Sequence, residues 1–194
     1  MIAHHLQLTG YGHWLPNDLR GSNSTEIRNE ELEELGPILP GRQPVQPSRQ
    51  ELKAFYREAN DVLDFTPFWF DVAKRQALAE ALQQVITLRR YTVWACAICS
   101  NHVHILIRAH RDSGEGMWRL LTDAGREALR RFPDVDPNHP VWTSAPWDTF
   151  LFIPDEVWGR VGYIELNPTK EGLPRQHWPF VVPYDNWPLH RKAR

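Results

Sequence analysis

The stretch YTVWACAICSNHVHILIR, residues 91–108, decides the fold that this 194-residue sequence predicts. It holds two runs rich in β-branched and aromatic residues, 91–99 and 102–108, and the polar pair Ser100-Asn101 separates them. Two such runs joined by a short polar turn predict a β-hairpin. Apolar residues occupy both alternating positions of each run, so we expect the hairpin to be buried on both faces near its centre.

The segments on either side of this hairpin supply the rest of the predicted sheet and its helices. Hydrophobic periodicity predicts, in chain order, strand 4–11, helix 70–88, the hairpin, helix 118–131, strand 148–152 and helix 155–167. This β-α-β-β-α-β-α order predicts an α+β fold: a ferredoxin-like (split βαβ) antiparallel sheet with helices on one face and an extra C-terminal helix. Pro168 is expected to end that last helix.

Residues 22–66 are predicted to form an insertion over the surface of a single domain that spans residues 1–194. The segment is polar and contains several prolines. It includes an acidic helical stretch from Thr25 to Leu35, for which Ser24 is the expected N-cap. A second short helix is expected near residues 48–60.

The composition, 42% hydrophobic and 24% charged, is that of a globular protein with a sizeable core. No apolar run approaches the ~20 residues that span a bilayer, and the N-terminus has no signal-peptide pattern. We therefore expect a cytoplasmic protein without a membrane partner. The net charge of −2 alone disfavours nucleic-acid binding, but residues 74–131 hold ten Lys and Arg against five Asp and Glu, a local charge of +5.

His102 and His104 are candidate metal ligands. Side chains two residues apart on a strand point to the same face, with Cα atoms roughly 6.5–7 Å apart, so the two imidazoles could bind one divalent metal. The alternative is a chance pair of structural histidines. Burial of both rings on one face of a sheet would, however, require polar partners for them.

The last predicted helix carries a second group of candidate site residues. Tyr163 and Asn167 are four residues apart and share one face, and Arg160 lies one turn before Tyr163. An amide oxygen from Asn167 could complete a metal site with two histidines and leave coordination positions open, a ligand set that suits Mg²⁺ or Mn²⁺. The alternatives are a packing role for Tyr163 and a helix C-cap role for Asn167.

The two cysteines, Cys96 and Cys99, are expected to be reduced core residues. They are three residues apart in a predicted strand, so they face opposite sides of the sheet. A redox Cys-x-x-Cys belongs at a helix N-terminus, and a zinc site of this kind needs a second thiol pair, which the chain lacks.

Three blocks of the sequence resemble the REP-associated tyrosine transposases, a branch of the single-tyrosine HUH transposase superfamily. The blocks are WLPNDLRG (14–21), NHVHILI (101–107) and YIELNP (163–168), the last followed by Gly172-Leu173. The similarity covers most of the chain except about residues 22–66. It implies a ferredoxin-like sheet. It also implies that His102, His104 and Asn167 bind the metal and that Tyr163 is the nucleophile.

The resemblance also implies an activity. It is that of a transposase with endonuclease activity that cleaves and rejoins single-stranded DNA next to palindromic hairpins of REP elements. The reaction uses Mg²⁺ or Mn²⁺ and passes through a 5′-phosphotyrosine intermediate. Members of the family act as monomers or homodimers. The candidate DNA contacts are Arg108, Arg160, Trp14 and Arg20. Further base-stacking surfaces are offered by Trp118, Trp142 and Trp147, although we expect most of the nine tryptophans to pack in the core.

Two alternatives remain open from the sequence. The first is a domesticated relative that binds structured DNA or RNA and never cuts it. The second is a metallonuclease in which His102, His104 and Asn167 activate water and Tyr163 has no chemical role.

Overall fold

The fold is built on one four-stranded antiparallel sheet. The computed structural model describes residues 1–22, 24, 27, 30–143 and 147–188. Its strands are β1 (Ala3–Thr9), β2 (Val93–Ile98), β3 (His102–Arg108) and β4 (Trp147–Leu151). They lie in the order β2-β3-β1-β4, and each neighbouring pair is antiparallel. This is the order of a split βαβ sheet, so the predicted fold class is confirmed.

Helices cover both faces of this sheet. They are α1 (Arg49–Val62), α2 (Val72–Arg89), α3 (Gly114–Leu129) and α4 (Pro154–Lys170). On one face, α2 and α3 pack against the alternate residues Leu6, Leu8, Val103, Ile105 and Ile107. On the other face, α4 packs against Ala3, Leu106 and Leu151. The extra C-terminal helix therefore lies on the face opposite to the other two, and the hairpin is buried on both sides.

Helix α4 continues through Pro168 to Lys170, so the prediction that proline ends it is wrong. The end comes at Gly172, which has a left-handed backbone (φ 74°). There the backbone N–H of Leu173 donates to the carbonyl of Pro168 at 2.9 Å, the closure typical of a glycine-terminated helix. Asn167 therefore lies inside the last turns of the helix and not at its C-cap.

Serine residues cap the N-termini of two further helices, and one of these helices begins earlier than predicted. Helix α3 begins before Trp118, where the hydroxyl of Ser113 accepts from the backbone N–H of Gly116 at 3.1 Å. Helix α1 matches the second predicted helix of the insertion, and Ser48 caps it. Of the predicted helix Thr25–Leu35, the described part is a 3-10 helix, Glu30–Leu35, and residues 25, 26, 28 and 29 lie outside the described residues.

The insertion has a small apolar core of its own. Phe55 and Ala59 of α1 pack with Leu32 and with Leu15, which belongs to the turn-rich segment after β1. The single-domain organisation stays a prediction. Within the described residues, no helix is long and apolar enough to cross a membrane.

The turn-rich segment contains a buried histidine whose ionisation affects stability. The imidazole of His13 lies 3.2 Å from the carbonyl of Phe68, to which its N–H donates. Burial lowers the pKa of His13 from 6.5 to about 4. The folded protein therefore keeps this ring neutral under conditions in which the unfolded chain binds a proton.

We predict that His13→Gln, which retains an N–H donor, reduces the pH dependence of folding. The neutral His13 ring makes its full contribution to the free energy of unfolding above pH 6.5. This contribution is lost as the pH falls towards 4, with a slope of up to ~1.4 kcal/mol per pH unit. Urea unfolding of both proteins at several pH values on each side of 6.5 gives the difference in slope. Parallel curves for the two proteins would contradict the prediction.

Candidate metal and tyrosine site

The register of β1 and β3 collects polar side chains on the face that α4 covers. Thr9 pairs with His102, Gln7 with His104, and His5 lies one pair further along. These residues alternate with the apolar ones that pack against α2 and α3, so they share the opposite face. All of them are buried. A buried row of this kind requires polar partners for each side chain.

The two predicted histidines lie side by side, with ring centroids 4.7 Å apart. Nδ1 of His102 is 2.8 Å from Oδ1 of Asn101. An amide oxygen only accepts, so the neutral ring donates from Nδ1 and keeps the lone pair of Nε2 unprotonated. This is the arrangement in which a neighbouring polar group fixes the tautomer of a metal-binding histidine.

A third histidine, His5, completes the cluster. Its Nε2 lies 3.0 Å from Nδ1 of His104, and its Nδ1 lies 2.9 Å from Nη1 of Arg160. Arginine only donates, so Nδ1 of His5 accepts and its Nε2–H donates to His104. In this arrangement Nε2 of His104 carries the proton. A cation can bind Nε2 of His104 only if this atom loses its proton. Nδ1 of His104 then becomes the donor, and Nε2 of His5 the acceptor, of the hydrogen bond between them.

All three rings are neutral at physiological pH. Burial lowers the pKa of His104 to about 2, and repulsion from a proton on His102 or His5 and from the cations Arg160 and Lys170 acts in the same direction. Burial, with a further contribution from Arg160, lowers the pKa of His5 to about 3. Burial also lowers the pKa of His102, against the opposing effect of Glu171. Neutral imidazole is the form that binds metals.

Tyr163 lies at the border between this cluster and solvent. Its side chain is 42% exposed, and its ring centroid is 5.5 Å from that of His104. Two cations flank the ring: the guanidinium carbon of Arg160 lies 5.7 Å from its centroid, and Nζ of Lys170 lies 4.6 Å from it. An exposed tyrosine ring beside two cations is well placed to meet an anion such as a phosphate.

Asn167 and Glu171 follow Tyr163 at intervals of four residues along α4. Asn167 is buried, and its Nδ2 donates to the carbonyl of Tyr163 at 2.8 Å, which leaves Oδ1 as an acceptor or ligand atom. Glu171 lies just beyond the helix, with Oε1 3.7 Å from Nδ1 of His102. Its other oxygen accepts from the hydroxyl of Ser100 at 2.6 Å.

One group of side chains in the described residues could hold a metal ion, and of the predicted ligands it contains His102. Ligand-type atoms of Cys99, His102 and Glu171 lie within 4.8 Å of one another. Burial raises the pKa of Cys99 to about 12, so this residue is a thiol and a poor ligand. Both cysteines are free and buried, on opposite faces of the sheet, as predicted. The imidazole of His102 and the carboxylate of Glu171 therefore remain as the possible ligands of this group.

Two of the candidate DNA contacts, Trp14 and Arg20, lie next to this cluster. The indole of Trp14 is 5.7 Å from the ring of His102, and the guanidinium of Arg20 lies 4.3 Å above the indole. Asp18 holds Arg20 through two oxygens, at 2.9 and 2.7 Å. The hydroxyl of Tyr56 donates to Asp18 and accepts from the backbone N–H of Trp14 at 2.9 Å.

The other candidates are spread more widely. Arg108 shares a strand face with the histidines, but it lies at the far end of β3 with its guanidinium 4.9 Å from the ring of Trp187. Trp118 and Trp142 are buried in the core and offer no surface to a base. Trp147 is 39% exposed.

Sequence reasoning missed several residues of this site, among them Lys170 beside the ring of Tyr163. His5 could have been found from the alternation His5-x-Gln7-x-Thr9 against Leu6 and Leu8, which places polar residues on one face of β1. Glu171 continues the four-residue spacing of Tyr163 and Asn167. Nothing in the local sequence singles out Tyr56, because the fold of the insertion brings it to the site.

We predict that Tyr56→Phe lowers the free energy of unfolding by about 1–3 kcal/mol. The change leaves a carboxylate oxygen of Asp18 and the N–H of Trp14 without their partner in a partly buried site. Urea denaturation measures the loss. The matched control is Tyr163→Phe, an exposed tyrosine, for which we expect a change within about 0.5 kcal/mol. Equal effects of the two substitutions would contradict this account.

Comparison with known proteins gives one structural match to report. No family model matches the chain, and no curated protein matches it. A solved structure, described as a REP-associated tyrosine transposase bound to a REP hairpin, matches with a TM-score of 0.49 and 13% sequence identity. The match covers 88% of this chain and 68% of the other.

Proposed function

We propose that this protein is a metal-dependent DNA strand transferase with Tyr163 as its nucleophile. It cleaves and rejoins single-stranded DNA next to palindromic hairpins through a 5′-phosphotyrosine intermediate. The observation that carries the proposal is the half-exposed Tyr163, whose ring lies beside buried neutral His104 and within 6 Å of two cations. This arrangement gives a phosphodiester access to a nucleophile beside candidate metal ligands.

The reaction is two successive transfers of one phosphoryl group. The phenol oxygen of Tyr163 attacks phosphorus, its proton passes to solvent, and the P–O3′ bond breaks. The released 3′-oxygen takes a proton and becomes a hydroxyl, while the 5′ end stays linked to the enzyme. Attack by the 3′-hydroxyl of another strand then restores both the phosphodiester and the tyrosine, so no external energy source is required.

Arg160 and Lys170 are positioned to hold the phosphate during these transfers. Both lie within 6 Å of the centre of the Tyr163 ring. Charge that develops on the phosphate oxygens and on the phenol is stabilised by fixed cations on either side. Arg160 also donates to Nδ1 of His5. Reversal of the His5–His104 hydrogen bond puts the proton of His5 on Nδ1, so Arg160 then loses this acceptor and is free to contact the phosphate.

The residues that hold the metal in this proposal are His102, His104 and Asn167. Bound Mg²⁺ or Mn²⁺ supplies Lewis-acid polarisation of the attacked phosphate, which a weak nucleophile such as a phenol requires. Asn101 orients His102 for this role through the hydrogen bond to Nδ1. The carboxylate of Glu171 adds a negative charge next to His102, which favours a cation there.

The DNA contacts proposed alongside Arg160 are Trp14, Arg20 and Arg108. Trp14 and Arg20 form a stacked pair beside His102, which suits contact with a base. Arg108 lies further along β3, where it could contact only DNA that extends away from Tyr163. A monomer and a homodimer are both compatible with the proposal.

We predict that the protein forms a covalent adduct with DNA. A labelled pool of hairpin oligonucleotides with unpaired tails of mixed sequence is incubated with the protein and Mg²⁺ or Mn²⁺, and the products are separated under denaturing conditions. A labelled protein band is expected for the wild type and is expected to be absent for Tyr163→Phe. The control, Tyr91→Phe, removes a hydrogen bond to Asp112 in the core beneath α2 and α3, and it tests whether loss of stability alone removes the band.

The same incubations, analysed on denaturing and native gels, separate the proposal from the other two functions. Cut DNA in solution, produced equally by wild type and Tyr163→Phe, would identify a water-using nuclease and contradict the proposal. Retention of the hairpin on a native gel without cutting under any metal condition would identify a binding protein and would also contradict it.

We predict that Asn101→Ala weakens binding of Mn²⁺ about 10- to 100-fold, because His102 loses the group that fixes its tautomer and ring orientation. Isothermal titration of the DNA-free protein with Mn²⁺ measures the change. Asn138→Ala, at an exposed loop residue, is the control and should bind as the wild type does. Equal affinities of wild type and Asn101→Ala would show that His102 does not hold the metal through Nε2.

A further inference from the structure

The insertion is fastened to the turn-rich segment after β1 at several points. The carbonyl of Pro16 accepts from the hydroxyl of Ser22 at 2.8 Å and from the backbone N–H of Leu39 at 3.4 Å. The next residue, Asn17, is buried, and its Nδ2 donates to the carbonyl of Leu32 at 2.6 Å. The conformation of the turn-rich segment therefore depends on the insertion.

One side chain of the insertion, Tyr56, reaches the two residues that are proposed to stack on a base. Its hydroxyl accepts from the backbone N–H of Trp14 at 2.9 Å and from Nη2 of Arg20 at 3.2 Å. It donates to the buried carboxylate of Asp18, which also binds Nε and Nη2 of Arg20. A single hydroxyl thus connects the backbone of Trp14, the side chain of Arg20 and the carboxylate of Asp18.

The backbone of Trp14 has a conformation that requires such support. Its φ of 49° lies in the left-handed region, which is uncommon for residues other than glycine and costs of order 1–3 kcal/mol. The hydrogen bond from its N–H to Tyr56 offsets part of this cost. The indole of Trp14 lies beside His102 in this conformation, with ring centroids 5.7 Å apart. Its orientation therefore depends on the Tyr56 hydroxyl.

The insertion itself is poorly suited to contact phosphate. Residues 22–66 contain nine Asp and Glu against five Lys and Arg, a net charge of −4. Proteins bind DNA phosphates chiefly through Lys and Arg, so DNA repels a segment of this charge. The insertion can therefore contribute to DNA binding through the residues that it holds in place, and not through phosphate contacts of its own.

We propose that Tyr56 is a positioning residue for DNA binding: it holds Trp14 and Arg20 in the orientation in which the pair stacks on an unpaired base. The insertion thereby forms part of the DNA-binding site without touching DNA. Side chains that are fixed before DNA arrives lose less conformational entropy on binding, so the affinity rises. This inference rests on the proposed function, because it takes Trp14 and Arg20 as DNA contacts.

The test is a double-mutant cycle in DNA binding. Tyr56→Phe removes the hydroxyl, Trp14→Ala removes the stacking ring, and a third protein carries both changes. All are made in a Tyr163→Phe background, which prevents cleavage, and urea unfolding establishes conditions in which every protein is fully folded. Fluorescence anisotropy follows binding of a labelled pool of hairpin oligonucleotides with unpaired tails of mixed sequence.

Tyr56→Phe is expected to weaken binding of the tailed hairpins about 2- to 10-fold, the range expected for one hydrogen bond. Trp14→Ala is expected to weaken it about 5- to 150-fold, the range for one stacked base. In the Trp14→Ala background, Tyr56→Phe should add less than about 2-fold, because the ring through which it acts is absent. The control, Tyr91→Phe, removes a tyrosine–aspartate hydrogen bond beneath α2 and α3 and should bind as the parent does.

A kinetic measurement separates positioning from a general loss of structure. In proteins that keep Tyr163, the initial rate of adduct formation is measured against the concentration of the hairpin pool. Tyr56→Phe is expected to raise the half-saturating concentration about 2- to 10-fold and to leave the rate at saturation within about 2-fold, since it affects binding and not the attack on phosphorus. A loss of rate at saturation without a change in the half-saturating concentration would contradict positioning.

Three results of the binding cycle would overturn the inference. They are unchanged binding by Tyr56→Phe, full additivity of the losses from Tyr56→Phe and Trp14→Ala, and an equal loss for Tyr91→Phe. The cycle requires no cleavage, so its result does not depend on the covalent adduct. An adduct together with additive losses would remove the positioning role and leave the strand transferase. A coupled cycle without any adduct would remove the strand transferase and leave Tyr56 as a positioning residue of a DNA-binding protein.

Discussion

The alternation of side chains across β1 and β3 is the constraint on which the site depends. Leu6, Leu8 and Val103 belong to the core beneath α2 and α3, so the intervening residues must face α4. A slip of one residue in this pairing would move the histidines into the apolar core and the leucines out of it. The hydrophobic effect that fixes the register therefore also fixes the position of the three imidazoles.

The same alternation explains why α4 divides its residues between two roles. Val157, Val161 and Ile164 pack on the apolar part of the sheet face, which holds the helix in place. Tyr163 and Asn167 project from a different side of the helix, towards the polar part of that face. The apolar packing of α4 on the sheet thus ends where the histidines begin. Tyr163 lies at that border and is half-exposed.

Much of this arrangement follows from local patterns in the sequence. The hairpin, the shared face of His102 and His104, and the spacing of Tyr163 and Asn167 depend only on the periods of strands and helices. The predicted end of α4 was wrong because a left-handed glycine, Gly172, ends a helix more effectively than a proline in its last turn.

The missed residues depend on distant contacts. His5 reaches His104 through the pairing of two strands that are about a hundred positions apart in the chain, |i−j| = 99. Tyr56 reaches Asp18 because the insertion folds back on the turn-rich segment. Local periodicity carries no information about either contact, since each is set by how whole elements pack.

The distribution of paired and unpaired charge indicates how a chain of net charge −2 could still bind DNA. Arg20 forms a salt bridge with Asp18, which largely neutralises its charge. What remains available for DNA binding is its guanidinium plane, which stacks on Trp14. Arg160 instead contacts the neutral ring of His5, and Lys170 lies against Tyr163, so both keep their charge for an anion. On the proposed function, phosphate binding is concentrated at the nucleophile, and the stacked pair of Trp14 and Arg20 contacts a base. Such a surface favours unpaired strands, because only they expose base faces to stack, and it requires few cations in total.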